Sequence, residues 1–101
     1  MNSDRALAIR RSQKARSDLT EIWLYIAERN PAAADRVLDE IERVYRLLAT
    51  RPRIGRERPE IKAGIRSLGV MSWIIFYRIE EEFIEIVRVL HGARDLDEIE
   101  F

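Results

Sequence analysis

Hydrophobic positions recur along this chain with two different periods, and the change of period divides it into a helical half and a strand half. Ala15, Leu19, Ile22, Trp23 and Ile26 follow one another mostly at spacings of three and four, which gathers them on one face of a helix. Ser12 stands just before this run, where its hydroxyl can accept from an orphan amide of the first turn, so the helix is expected to open there and run to about Arg29. Asn30-Pro31 then restarts the pattern, because Asn caps well and Pro at the first helical position lacks only an amide that has no partner anyway. The second stripe is Ala34, Val37, Leu38, Ile41, Val44, Tyr45 and Leu48, with Arg36, Asp39, Glu40, Glu42, Arg43 and Arg46 opposite. Two amphipathic helices joined this tightly predict an antiparallel hairpin.

Strand signals flank the hairpin. Ala6–Arg11, with Leu7 and Ile9 alternating, reads as a short first strand closed by Ser12. Pro52 stops the second helix, and Arg51 to Gly64, punctuated by Pro52, Gly55, Pro59 and Gly64, reads as a long loop. Three strands are expected after it, over Ile65–Val70, Trp73–Ile79 and Phe83–Leu90, with Glu80-Glu81-Glu82 turning between the last two. Both alternating sets of Trp73–Ile79 are largely apolar, as in a strand covered on both faces. Arg88 falls into alternation with Ile84, Ile86 and Leu90, so a charge crossing an apolar face is expected to need a carboxylate, internal or from another chain. Trp23, Tyr25, Tyr45, Trp73 and Tyr77 all fall on helical or strand stripes and are expected in the core.

The predicted order is β-α-α-β-β-β, an α+β fold with an antiparallel-rich sheet packed by an N-terminal helical hairpin. At 101 residues the chain is sized for a single domain spanning 1–101: the hairpin over about 13–50, the C-terminal strands over about 65–91, and a tail over 92–101. With 47% hydrophobic residues it has the apolar material to fold. Eighteen basic and eighteen acidic residues cancel, so there is no overall attraction to nucleic acid or to an anionic membrane. The distribution is uneven: six basic residues against two acidic lie between Arg51 and Arg66, and eight acidic against Arg88 and Arg94 lie from Glu80 to Phe101. Cysteine is absent, which excludes disulfides, thiolate catalysis and Cys-based zinc sites, and is compatible with a reducing cytoplasm. Met1–Arg5 is polar and lacks the long apolar core expected of a signal peptide. No run approaches the roughly 20 apolar residues that span a bilayer.

Candidate chemistry is sparse. The sole histidine, His91, ends the last strand in Val89-Leu90-His91-Gly92-Ala93-Arg94-Asp95. One reading has its imidazole hydrogen-bonding the turn; the other makes it a proton-transfer group, with Arg94, Arg66 or Arg78 binding phosphate for RNA cleavage. Carboxylate spacing demands no metal, and no glycine pattern for nucleotide phosphates is present, so no cofactor is expected. Arg53, Arg56 and Arg58 suit nucleic-acid phosphates, a partner's acids, or simply a solvated loop. Arg outnumbers Lys sixteen to two, which points to a general compositional preference.

The motifs in order resemble the ParE branch of the RelE/ParE toxin superfamily. They are Ser12-Gln13-Lys14-Ala15-Arg16-Ser17-Asp18-Leu19 with Ile22, Tyr25, Ile26 and Ala27; Pro31 and Ala34; Pro52, Gly55-Arg56 and Arg58-Pro59-Glu60-Ile61; Gly64-Ile65-Arg66; Ile75-Phe76-Tyr77-Arg78; and Val87 through Asp95. The resemblance runs from about residue 6 to 98. It implies a cytoplasmic toxin of a type II toxin–antitoxin pair that inhibits DNA gyrase without catalysis and is neutralised by a ParD-like antitoxin, with DNA met only through those partners. Arg56, Arg58, Arg66, Arg78 and Arg88 are then the expected antitoxin contacts, and His91, Arg94, Asp95, Leu96 and Ile99 the expected target contacts. The sister RelE branch implies instead a ribosome-dependent mRNA endoribonuclease, for which the candidates are His91, Arg94, Arg66 and Arg78. An attenuated relative is the third reading.

Overall fold

A computed structural model describes residues 6–101; the polar N-terminal stretch Met1–Arg5 lies outside the described residues. The chain runs β1 (Ala8–Arg11), α1 (Gln13–Ala27), α2 (Pro31–Thr50), β2 (Arg56–Glu57), β3 (Ile65–Val70), β4 (Trp73–Ile79) and β5 (Phe83–His91), with 3₁₀ turns at Pro52–Ile54 and Leu96–Glu98. The five strands form one sheet in the order β1-β5-β4-β3-β2. β1 lies parallel to β5 and every other neighbour is antiparallel.

Both helices open where the sequence places their caps. Ser12 Oγ accepts from the Ala15 amide at 2.9 Å, and Asn30 Oδ1 accepts from the Ala33 amide at 3.1 Å ahead of Pro31. Their apolar faces meet one face of the sheet in a cluster that includes Ala15, Leu19, Ile22, Val37, Ile41, Val44, Tyr45 and Leu48 against Val70, Ile75, Tyr77, Ile84, Ile86 and Val89. The other face carries a smaller cluster of Ile65, Phe76, Val87 and Leu90, covered by Ile61, Leu96, Ile99 and Phe101. β4 is therefore buried on both sides, as its doubly apolar pattern requires.

Four sequence expectations change. The stretch from Arg51 to Gly64 is a loop only in part: Pro52–Ile54 winds into a 3₁₀ turn, and Arg56-Glu57 pairs with Ser67 and Arg66 as a sheet edge, a pairing too short to show as alternation. The tail folds back over the sheet, because Leu96, Ile99 and Phe101 have an apolar face to cover. Tyr25 is 79% exposed, and Trp23 and Trp73 are only half-buried: Trp23 turns toward α2, where its indole donates to Asp35 at 2.9 Å, and Tyr25 and Trp73 line an open cleft beside His91. Finally, Phe76 pairs with Arg88 and Tyr77 with Ile86, which leaves Val87 as the extra residue of a β-bulge. Alternation breaks there: Ile84 and Ile86 pack under the helices, but Val87 and Leu90 join the opposite face.

Two buried tyrosines anchor the sheet differently. Tyr77 Oη accepts from the Gly55 amide at 2.9 Å and donates to the Pro52 carbonyl at 2.7 Å, which ties the Pro52–Ile54 turn to the middle of β4. Gly55 must lack a side chain there, because a Cβ would stand 2.5 Å from that hydroxyl and 2.8 Å from the Ser67 carbonyl. Tyr45 is equally enclosed, but its hydroxyl has no partner among the described residues, and burial holds its ionisation far above the ordinary range. Removing a paired hydroxyl orphans its partners, whereas removing an unpaired one does not. Tyr77→Phe is expected to cost about 1–3 kcal/mol. Tyr45→Phe should leave stability unchanged or raise it, as measured by urea unfolding of both variants.

Candidate functional site

The pairing of β1 with β5 ends at Arg11 and Ile86, yet β5 continues to His91. Its exposed edge is taken over by the start of α1. Ser12 donates from its amide to the Ile86 carbonyl at 3.0 Å and from its hydroxyl to the Val87 carbonyl at 2.8 Å. Six residues on, Asp18 accepts from the Val89 amide at 2.9 Å. The same carboxylate receives Arg88 twice, from Nε and Nη2, each at 2.8 Å. The Asp18 and Arg88 side chains are 7% and 13% exposed. Hydrogen bonding to Asp18 raises the Arg88 pKa above its already high ordinary value. The carboxylate that the Arg88 position demands is thus internal. Asp18 had a legible signal, since it falls within the apolar stripe formed by Ala15, Leu19 and Ile22.

Arg88 also donates to the Glu100 carbonyl at 2.9 Å, and Lys14 meets the Glu100 carboxylate at 2.6 Å. That hydrogen bond from Lys14 holds the Glu100 carboxyl below its usual range. The anchor therefore persists at neutral pH and weakens as pH falls through the lowered value. Phe101 completes the strap, its ring edge-on to Phe76 with centroids 4.9 Å apart. Leu96 and Ile99 are half-buried beneath it, and Asp95 caps the Leu96–Glu98 turn by accepting from the Asp97 amide at 3.0 Å.

The other candidate arginines gather toward the opposite end of the sheet, mostly in internal contacts. Arg58 pairs with Glu60 at 2.7 Å, donates to Ser67 Oγ at 3.0 Å and lies over the Phe76 ring. Arg66 donates to the Gly55 carbonyl at 2.8 Å. Arg78 pairs with Glu85 at 2.6 Å and approaches Glu80 at 3.4 Å. Arg56 is exposed at the sheet edge.

His91 and Arg94 lie at the far end. His91 is exposed; its Nδ1 accepts from the Ala93 amide at 3.1 Å and its ring stands edge-on to Trp73 at 5.9 Å. Together with Arg94 these two rings border an open cleft whose other wall is Glu21, Ile22 and Tyr25 of α1. Register sets the distance to the remaining arginines. His91 pairs with Trp73, whereas Arg78 sits five residues further along β4 and Arg66 pairs with Tyr77. At about 3.3 Å per residue the histidine end and the arginine end lie about 17 Å apart. A general acid–base group must reach its proton within about 3 Å, directly or through one water. His91 and Arg94 therefore share a site, while Arg66 and Arg78 belong to another, and the four do not converge on one phosphate. Among the described residues no three of His, Cys, Asp or Glu come together as metal ligands.

This architecture, a helical hairpin on a five-stranded mixed sheet, recurs in solved structures of toxin–antitoxin systems. The chain superposes on a chain of a solved structure described as the chromosomal ParDE TA system from P. aeruginosa with a TM-score of 0.71, covering 86% of this chain and 97% of that one at 22% identity. It superposes on the toxin–antitoxin complex RelBE2 from Mycobacterium tuberculosis with a TM-score of 0.58 at 24% identity, covering 85% and 98%. The family described as ParE toxin of type II toxin-antitoxin system, parDE, matches residues 9–96. Toxin ParE1 of Mycobacterium tuberculosis is 39% identical over 85% of this chain and 90% of its own length. Toxin ParE3 of Caulobacter vibrioides is 32% identical over 85% and 87%, and Toxin RelE3 of the same organism is 30% identical over 78% and 87%. The chain belongs to the ParE toxin family of type II toxin–antitoxin systems.

Losing one member of a buried ion pair leaves the other desolvated and unpaired. Arg88→Ala is expected to destabilise the fold by about 3 kcal/mol. Arg11→Ala, which breaks the pair with Glu42 whose side chains are 35% and 38% exposed, should cost under about 1 kcal/mol. Parallel urea titrations check the contrast, and equal losses would remove the special role given to Arg88.

Proposed function

We propose that this toxin inhibits DNA gyrase in the cytoplasm by binding it, without a chemical step of its own, and that a ParD-like antitoxin neutralises it. Membership of the ParE family supports this reading. The observation that carries it is the distance along the sheet between His91 and the Arg66/Arg78 pair, which deprives a nuclease of its phosphate clamp. The antitoxin's acidic side chains meet the arginine end: Arg56 is exposed, and Arg58, Arg66 and Arg78 exchange internal carboxylates or carbonyls for the partner's. Arg88 acts from inside, holding α1 and the tail in place. The target meets the histidine end, His91 and Arg94, with Asp95, Leu96 and Ile99 shaping the turn that follows.

A second reading, ribosome-dependent mRNA cleavage, is favoured by the 30% identity to Toxin RelE3 and by Arg94 standing in the same cleft as His91. One paired experiment separates the two. Purified toxin is added to gyrase with supercoiled plasmid and, separately, to a translating extract whose mRNA ends are mapped. The expected result is gyrase-dependent linear plasmid and intact message. Codon-positioned cuts that fall by roughly 10²–10⁴-fold in His91→Ala, the scale of a lost acid–base group, would establish the ribonuclease instead. Truncation after Gly92 is a poor substitute for this test, because it strips Leu96, Ile99 and Phe101 from the Phe76 cluster and destabilises the protein for reasons unrelated to the target.

A further inference from the structure

We infer that the toxin grips its target through the sheet end built from Met71, Trp73 and His91 with Tyr25 and Arg94, and that this surface receives a protein segment presenting an apolar side chain beside a carboxylate. The inference deepens the reading that the toxin acts by binding gyrase and rests on it. It moves the contact from the apolar part of the tail, where Leu96 and Ile99 are already packed against the sheet, to a surface on which Met71, Tyr25, His91 and Arg94 are exposed.

The turn between β3 and β4 carries the first observation. Val70 pairs with Trp73, so Met71 and Ser72 form a two-residue hairpin loop, and Met71 has a φ of 55°. Glycine adopts that conformation without strain, whereas a side chain there costs backbone energy. Met71 nonetheless projects into solvent, 65% exposed, where it adds nothing to the core. The Ser72 carbonyl accepts from the Gly92 amide at 2.9 Å, which fixes this loop beside the His91 turn.

The cleft next to it supplies the second. Tyr25 is 79% exposed on the α1 wall, and Ile22 and Trp73 line the cleft with it. Tyr and Met are side chains that bury well at interfaces. Arg94 forms no salt bridge among the described residues. The His91 Nδ1 is occupied by the Ala93 amide, so in the neutral ring Nε2 carries the proton and is the remaining donor. Two outward donors on one wall and apolar side chains between the walls are complementary to a carboxylate next to an apolar residue. Glu21 on the opposite wall limits the anionic charge the cleft accepts, so a single carboxylate held against Arg94 and His91 is tolerated where a run of phosphates along the cleft is not.

The test compares wild type with Met71→Gly, Tyr25→Ala, Arg94→Glu and the control Arg36→Glu on the outer face of α2. Each is assayed for thermal unfolding, antitoxin binding, gyrase inhibition, growth arrest on expression and gel shift of plasmid alone. The expected result for the three surface variants is at least a tenfold higher dose for gyrase inhibition, weaker growth arrest and unchanged antitoxin binding, with Arg36→Glu matching wild type. Met71→Gly, which relieves the positive φ, should melt no lower than wild type, so its loss of potency cannot be ascribed to misfolding. Folded variants that keep full potency would overturn the assignment. Loss of antitoxin binding alongside would give the surface to the antitoxin, and plasmid binding abolished by Arg94→Glu would give it to nucleic acid; either overturns it. If wild type arrests growth but leaves gyrase untouched, the gyrase reading fails, and the variants' growth arrest decides whether this surface still serves another target. A wild type with neither effect overturns both.

Discussion

The Asp18 carboxylate holds together parts of the molecule that the chain supplies 70 residues apart. Strand β5 outruns its parallel neighbour β1, and an uncovered strand edge deep in a small protein leaves backbone groups without partners. The opening of α1 meets that need with side chains: Ser12 serves the Val87 carbonyl and Asp18 the Val89 amide. Placing a carboxylate there creates a desolvation cost that the paired Arg88 guanidinium offsets. Arg88 in turn reaches the tail through the Glu100 carbonyl. Helix α1, strand β5 and the C-terminal strap thereby meet at one ion pair, beside the cleft that His91 borders.

A rigid sheet with different chemistry at its two ends suits a protein that holds two partners. Arginines at the Arg58 and Arg66 end are held in place by internal hydrogen bonds to Glu60, Ser67 and the Gly55 carbonyl. At the other end the exposed side chains are aromatic, thioether and imidazole, a composition suited to burying area against a protein surface. The separation of these ends is a consequence of strand length and register, and the same separation keeps His91 away from Arg66 and Arg78.

Much of this fold was legible from local rules. Ser12 and Asn30-Pro31 announce both helix starts because capping depends on one or two residues, and the stripes from Ala15 to Leu48 show which faces are buried. The doubly apolar pattern of Trp73–Ile79 foretold a strand covered on both sides. Non-local features were not legible. The bulge at Val87 depends on pairing with Phe76 and Tyr77, and it moves Leu90 to the face opposite Ile84 and Ile86. The two-residue strand Arg56-Glu57 has no periodicity to read. Tyr25 repeats at helical spacing yet stays outside, since Ile22 and Ile26 take the core contacts of that part of α1 and Tyr25 faces the open cleft beside His91. Of the candidate site, Arg88 advertised its need for a carboxylate but not that Asp18 would meet it, and nothing in the alternation of Met71-Ser72 shows a strained, exposed side chain.

The central claim is that this toxin acts by occupying its target, so that its effect is counted in molecules and does not accumulate with time. The direct measurement holds gyrase at a fixed concentration well above the dissociation constant and titrates toxin against supercoiling activity at several incubation times. Inhibition that rises in proportion to toxin, levels off at a whole-number ratio to gyrase, stays constant with time and reverses on adding antitoxin is the predicted result. Inhibition that deepens with time at a small fraction of the gyrase concentration would reveal turnover and contradict the account.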